Sequence, residues 1–124
     1  LDATIAHKRA LAEIYFSELT DWMTKPIRRN DEYDVFHIFG LRHPQRDALC
    51  AWLLERGFKT EVHYPIPPHR QKAMIGILAG SYPLSDAVHA MELSLPISNG
   101  QAPREIHQVC QCLADGRNRF AISE

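Results

Sequence analysis

An α/β sandwich in a single domain is the fold class that this 124-residue chain predicts, and three observations predict it. A stripe of apolar residues at helical spacing opens the chain. A run of β-branched and aromatic residues, an amphipathic segment and an alternating segment then follow as strand, helix and strand. Finally, 45% hydrophobic and 23% charged residues are the ordinary proportions of one soluble core. At this length folding buries roughly two thirds of the chain's surface, with no need of a disulfide or structural metal.

Leu1, Ile5, Ala12, Tyr15, Leu19 and Trp22 recur at three- and four-residue spacing with Lys8, Arg9, Glu13 and Glu18 between them, so a long helix is predicted over residues 1–22. Pro26 stops it near Lys25, because proline lacks an amide donor and disfavours helix in the residue before it. Residues 27–34 are polar and read as a loop. Residues 35–41 (VFHIFGL) read as a strand buried on at least one face. After Pro44, residues 46–56 place Leu49, Trp52 and Leu53 on one helical face, and Gly57 supplies a left-handed stop. Phe58, Thr60 and Val62 alternate with Lys59, Glu61 and His63, the period of a half-buried strand. Pro65, Pro67 and Pro68 fix their φ angles and stiffen residues 64–69. Residues 70–78 predict a short helix ending at Gly80. Ser85-Asp86 predicts the cap of another helix, with Ala87, Val88, Ala90 and Met91 inward. Residues 93–97 make a final strand. Pro103 opens a last helix striped by Ile106, Val109 and Leu113 and ended by Gly116.

The formal charge of −1 argues against whole-surface attraction to nucleic acid or anionic lipid. The basic groups Lys25/Arg28/Arg29 and Arg117/Arg119 read as solvated ends of elements. The longest apolar runs, residues 48–54 and 74–80, fall far short of the roughly 20 residues that a bilayer-spanning helix needs. Cys50, Cys110 and Cys112 form an odd set without a Cys-x-x-Cys pair, which suits a reducing, cytoplasmic setting and thiols without a role. The chain begins at Leu1 with no initiator Met and no signal-type segment, and is therefore expected to be part of a longer polypeptide.

Chemically capable side chains are densest at His63-Tyr64-Pro65-Ile66-Pro67-Pro68-His69-Arg70-Gln71, where two imidazoles, a phenol, a guanidinium and an amide stand on a stiff backbone at a strand's end. A plainer reading stands beside it: prolines that end a strand between two idle histidines. A metal reading of His63 and His69 lacks the third and fourth ligands that zinc sites take. Ser81 and Ser94 are outside any Gly-x-Ser-x-Gly turn, and no glycine-rich phosphate loop is present. His37, inside an apolar strand, reads as a core histidine, as do Trp22 and Trp52 on helix faces. Arg46-Asp47 reads as a helix start, the carboxylate lying near the positive end of the dipole.

Together these segments resemble the C-terminal small domain of the DegT/DnrJ/StrS-type nucleotide-sugar aminotransferases, fold-type I enzymes dependent on pyridoxal phosphate (PLP). The resemblance is carried by Lys8-Arg9-x-Leu11-Ala12-x-x-Tyr15-x-x-x-Leu19, His37-x-Phe39-x-Leu41-Arg42, Arg46-Asp47-x-Leu49, Gly57-x-x-Thr60-x-x-His63-Tyr64-Pro65-x-Pro67-x-His69-x-Gln71, Tyr82-Pro83-x-Ser85-Asp86 and Leu93-Ser94-Leu95-Pro96-Ile97. The most specific part is His-Tyr-Pro-x-Pro-x-His-x-Gln followed by Leu-Ser-Leu-Pro-Ile. Residues 98–105 depart from the family's usual His-Pro pair and Thr-x-Glu-Glu helix start.

The resemblance implies a small, mostly antiparallel sheet packed against helices behind a long first helix. It implies a parent enzyme that passes an amino group from glutamate, through PLP, to a nucleotide-linked keto-deoxy-sugar, and that works as a homodimer. His63 and Tyr64 are then expected to face the sugar, with His69 and Gln71 in support. The Pro67-Pro68 variant of the segment is most similar to members acting at carbon 3. None of Lys8, Lys25, Lys59 and Lys72 matches the family's PLP lysine, so no cofactor and no turnover are expected of this chain alone. Two other readings compete with this one: a free-standing α/β binding module that kept the fold without the chemistry, and a metal-dependent hydrolase using His63 and His69.

Overall fold

A computed structural model describes residues 1–121. Its elements run α1 (Asp2–Glu18), β1 (Phe39–Arg42), α2 (Arg46–Glu55), two single 3-10 turns (Pro68–Arg70 and Lys72–Met74), α3 (Pro83–Met91), β2 (Glu92–Leu95), α4 (Pro103–Asp115) and α5 (Arg117–Phe120). β1 and β2 pair antiparallel with Phe39 opposite Leu95, Gly40 opposite Ser94, Leu41 opposite Leu93 and Arg42 opposite Glu92. Single bridges widen this ribbon on both edges, Thr24 to Arg42 and Glu61 to Ser94. The result is a small antiparallel sheet against helices, the mixed α/β class that the sequence predicts.

The core forms because the apolar stripes of α1, α2 and α4 meet the inward residues of the ribbon. Leu11, Tyr15, Phe39, Leu41, Leu49, Leu53, Leu93, Ile106 and Leu113 lose essentially all contact with solvent. The rings of Tyr15 and Phe39 lie 4.7 Å apart and tie α1 to β1, a contact of about 0.5–1.5 kcal/mol beyond the area it buries. The Tyr15 hydroxyl donates to the Pro96 carbonyl at 2.7 Å. Burial pushes that phenol well above its usual range, so it remains a neutral donor.

Buried polar groups join the elements. Arg46, 9% exposed, opens α2 beside Asp47 at 2.5 Å. Its guanidinium also donates to the carbonyls of His89 at 3.2 Å and Glu92 at 2.7 Å, groups that the end of α3 leaves without helical partners. Capping by Asp47 is therefore only part of what this pair does. His43, 1% exposed, accepts from the Gln45 N–H at its Nδ1 (3.1 Å) and faces the Phe120 carbonyl through Nε2 (3.1 Å), fastening α5 to the start of α2. Because a carbonyl only accepts, the ring proton of the neutral form sits on Nε2.

Several boundaries differ from those expected, each for a local reason. α1 stops at Glu18 rather than near Lys25, since Leu19 turns extended and the Thr24 backbone is taken by Arg42. The Lys25 ammonium donates to the freed Leu19 carbonyl at 2.8 Å. The strand expected over 35–41 begins only at Phe39, because Phe36 sits at φ 47°, in the left-handed region, and breaks the alternation. His37 is thereby exposed rather than in the core. The strand expected over 58–63 contracts to the single Glu61 bridge, and the helix expected over 70–78 to two 3-10 turns that leave Ile75 and Ile77 exposed. α3 starts at Pro83, not at a Ser85-Asp86 cap, and none of its residues is fully buried. Gly57 is a left-handed stop as expected (φ 88°). Gly116 is not left-handed: a Cβ there would stand 2.9 Å from Trp52 Cη2, so close packing is what favours glycine.

Candidate functional site

The strand-and-loop pattern E-L-S-L places Leu93 and Leu95 in the core and Glu92 and Ser94 together on the other face of β2. Backbone bonds between Glu61 and Ser94 (2.7 and 3.2 Å) then lay residues 61–63 along that face. This brings His63 onto a three-residue chain of hydrogen bonds. Its Nδ1 is 2.8 Å from Ser94 Oγ, Ser94 Oγ donates to Glu92 Oε1 at 2.6 Å, and Glu92 Oε2 accepts the His63 backbone N–H at 2.8 Å. His63 Nε2, the opposite ring nitrogen, is 3.5 Å from Glu61 Oε2, and the other oxygen of that carboxylate, Oε1, stands 3.7 Å from the Lys59 ammonium.

A cleft of about 500 Å³ opens here. Lys8 from α1, His37 from the loop before β1, Lys59, Glu61 and His63 line one part, and residues 94–98 with Gln101 complete it. The two lysines outnumber the single carboxylate on its walls, while Leu95, Pro96 and Ile97 add apolar surface. His63 also borders a second, more apolar hollow of about 460 Å³ beside Phe36, Ile38 and Leu41.

The four residues expected at the site fall into two places. His63 is in the cleft, and Tyr64 follows it through a cis peptide with its ring edge-on to the imidazole at 5.5 Å and 65% exposed. The Tyr64 carbonyl is held by His89 Nδ1 at 2.6 Å. His69 lies away from the cleft. It donates to Asp86 Oδ1 at 2.9 Å and stacks on Tyr82 at 4.8 Å, while the Arg70 guanidinium grips the same carboxylate at 2.8 and 2.9 Å. The Arg70 hydrogen bond is the main cause that holds the Asp86 carboxyl below its usual range. Gln71 is exposed and reaches only the Ile66 carbonyl, at 3.4 Å. Among the described residues no three His, Cys, Asp or Glu side chains gather as a metal site, and no helix is long and apolar enough to cross a membrane.

Lys8, His37, Lys59, Glu61, Glu92 and Ser94 are the site residues that the sequence reading did not single out. Polar residues at Glu92 and Ser94, two apart in a strand, were the available signal for that pair.

The profile of the DegT/DnrJ/EryC1/StrS aminotransferase family matches residues 1–114, nearly the whole chain. The chain belongs to this family. It is 32% identical over 114 residues to the dTDP-3-amino-3,6-dideoxy-alpha-D-galactopyranose transaminase of Aneurinibacillus thermoaerophilus, covering 91% of this chain and 31% of that protein. It is 36% identical over 101 residues to the dTDP-3-amino-3,4,6-trideoxy-alpha-D-glucose transaminase of Streptomyces venezuelae, covering 78% and 27% respectively. Among solved structures, S. venezuelae DesV in complex with a ketimine intermediate superposes with a TM-score of 0.88 at 29% identity, over 99% of this chain and 33% of that one. The chain thus spans about a third of the length of the family members it matches.

The aminotransferase family implies PLP in its parent proteins, and the described residues do not fit a seat for it. Lys25 is committed to the Leu19 carbonyl, and Lys59 is 79% exposed beside Glu61. Glu92, beside the cleft, is saturated by Ser94 and the His63 amide, and Glu61 is shared between Lys59 and His63, which leaves no free acid for a ring nitrogen.

Proposed function

We propose that residues 1–124 are the C-terminal small domain of a cytoplasmic, homodimeric, PLP-dependent aminotransferase whose cofactor is held by the rest of the parent polypeptide. The parent moves an amino group from glutamate to the carbonyl carbon of a nucleotide-linked keto-deoxy-sugar, leaving 2-oxoglutarate and an amino-sugar nucleotide. The observation that carries this reading is the cleft at His63, in a chain whose relatives are dTDP-amino-sugar transaminases. Its imidazole is held by β2 rather than by a mobile loop, so little ordering is needed when a hydroxyl-rich ligand is aligned. Lys8 and Lys59 provide positive charge, and with His37 the donors, for the nucleotide's phosphates, while His63 and Tyr64 face the sugar. His69 and Gln71 serve at one remove, by fixing the far end of the proline-framed segment.

In the full-length parent, His63→Ala is expected to lower kcat/KM for the nucleotide-sugar by about 10- to 100-fold, as for a lost hydrogen bond and lost alignment. The half-reaction with glutamate changes by less than about twofold, since glutamate and sugar make different contacts. Stopped-flow measurement of the two half-reactions checks this. Equal losses in both would assign His63 to the cofactor or the fold. Failure of the wild-type parent to aminate any dTDP-linked keto-sugar would overturn the substrate class.

A further inference from the structure

The chain of bonds behind His63 has a direction. Glu92 is a carboxylate and can only accept, so the one hydroxyl proton of Ser94 is donated to Glu92 Oε1. Ser94 Oγ therefore has only lone pairs left for the imidazole, and His63 Nδ1 must donate to it. The second carboxylate oxygen is occupied by the His63 backbone N–H, which cannot reverse. Ser94 is 5% exposed, so water does not readily compete with this order. The proton of the neutral ring is thus held on Nδ1, and Nε2 is left as its acceptor nitrogen.

Nε2 lies at the cleft 3.5 Å from Glu61 Oε2. In the neutral ring these are two acceptors facing one another, an arrangement that calls for a donor between or beside them. Two acceptors side by side at a polar cleft suit a ligand bearing a hydroxyl group.

We propose that Ser94 and Glu92 are positioning residues that hold His63 in its Nδ1–H form, so that Nε2 accepts a hydrogen bond from a hydroxyl of the bound ligand. This rests on the sugar-facing reading for the identity of the ligand but not for the state of the ring. It also predicts how to reverse the relay. In Glu92→Gln the amide oxygen is claimed by the fixed His63 N–H, so the amide NH₂ turns to Ser94 Oγ and donates. Ser94 then donates its proton to His63 Nδ1, and the ring proton moves to Nε2. An acceptor at the cleft becomes a donor.

The test is nitrogen NMR of the 15N-histidine-labelled chain at alkaline pH, where an imidazole is neutral, with His63 assigned by its loss in His63→Gln. A pyrrole-like Nδ1 and a pyridine-like Nε2 are expected for His63 in the wild type. The opposite pattern there overturns the proposal without any variant. Glu92→Gln is expected to invert the pattern and Ser94→Ala to mix the two forms, whereas a merely structural loss would leave the ring as it was. In the full-length parent, Glu92→Gln is expected to raise KM for the nucleotide-sugar about tenfold, one hydrogen bond's worth, and Ser94→Ala by a smaller factor because part of the population keeps the accepting form, with the glutamate half-reaction unchanged in both. An inverted ring with unaltered sugar use overturns Nε2 as the hydroxyl's acceptor. A wild-type ring in the expected form, in a parent that aminates no nucleotide-sugar, upholds the relay and removes the substrate reading instead.

Discussion

The prolines at 65, 67 and 68 separate two histidines that are held by opposite means. His63 is fastened inward, through buried Ser94 to a strand whose other face is the core. His69 is fastened to Asp86 of α3, a helix with no fully buried residue, and to the ring of Tyr82 just before it. The first attachment shares the stability of the whole domain, and the second, although the His69 side chain is only 11% exposed, rests on local bonds and on an Arg70–Asp86 ion pair whose guanidinium is open to solvent, a kind of contact that contributes little to global stability. The difference shows how one stiff segment can carry a precisely set group at one end and a replaceable strut at the other.

The largest test of that contrast is Phe39→Ala. Phe39 is fully buried opposite Leu95, and its removal is expected to cost about 3–5 kcal/mol in chemical denaturation. Hydrogen exchange at the Glu61 and Ser94 amides should accelerate in step, because both depend on the ribbon, while Arg70 and Gln71 change less. Retained protection at Glu61 in a globally weakened domain would show that the cleft end is held by its own loop. Gly116→Ala comes next, at about 1–3 kcal/mol from overpacking against Trp52. It lies away from both ends and should alter the denaturation midpoint without altering the His63 ring signals; a change in those signals would show that the relay is sensitive to packing at a distance.

The smallest effect is expected at the latch. Asp86→Asn should leave the melting temperature unchanged and speed exchange only around Arg70 and Gln71. Because the Arg70 partnership lowers the folded-state value of the Asp86 carboxyl, its contribution is complete above the ordinary carboxylate range and is lost as pH falls through that lowered value. Acid should therefore loosen this end locally in the wild type but not further in Asp86→Asn. A fall in melting temperature of several degrees on this substitution would erase the distinction between the two ends.

How much of this was legible in the residues differs by element. α2 and α4 could be read closely, since helical spacing, Gly57 and Pro103 give period and punctuation within a few residues. The segment over 35–41 was misjudged because composition reports β propensity but not the left-handed turn at Phe36, which carries His37 out of the core and into the cleft wall. At the site, His63 was readable from its place at the end of an alternating run. Glu92 and Ser94 were not, because their role depends on which strand lies beside them: Ser94 meets His63 across 31 residues of chain, a distance over which local patterns say nothing. Likewise the family's motif groups His69 and Gln71 with His63, whereas the 3-10 turns carry His69 to α3 and leave Gln71 exposed beside the Ile66 carbonyl.

One consequence follows from the buried clasp at His43. Its lone pair points at the Gln45 amide through Nδ1 and its proton at Phe120 through Nε2, the reverse of the order that Glu92 and Ser94 impose on His63. A single small chain therefore contains both neutral forms of the same side chain, each locked by its surroundings. Any spectrum that resolves the two rings comes with a built-in reference, and an inverted His63 would be recognised by its likeness to His43 in the same tube.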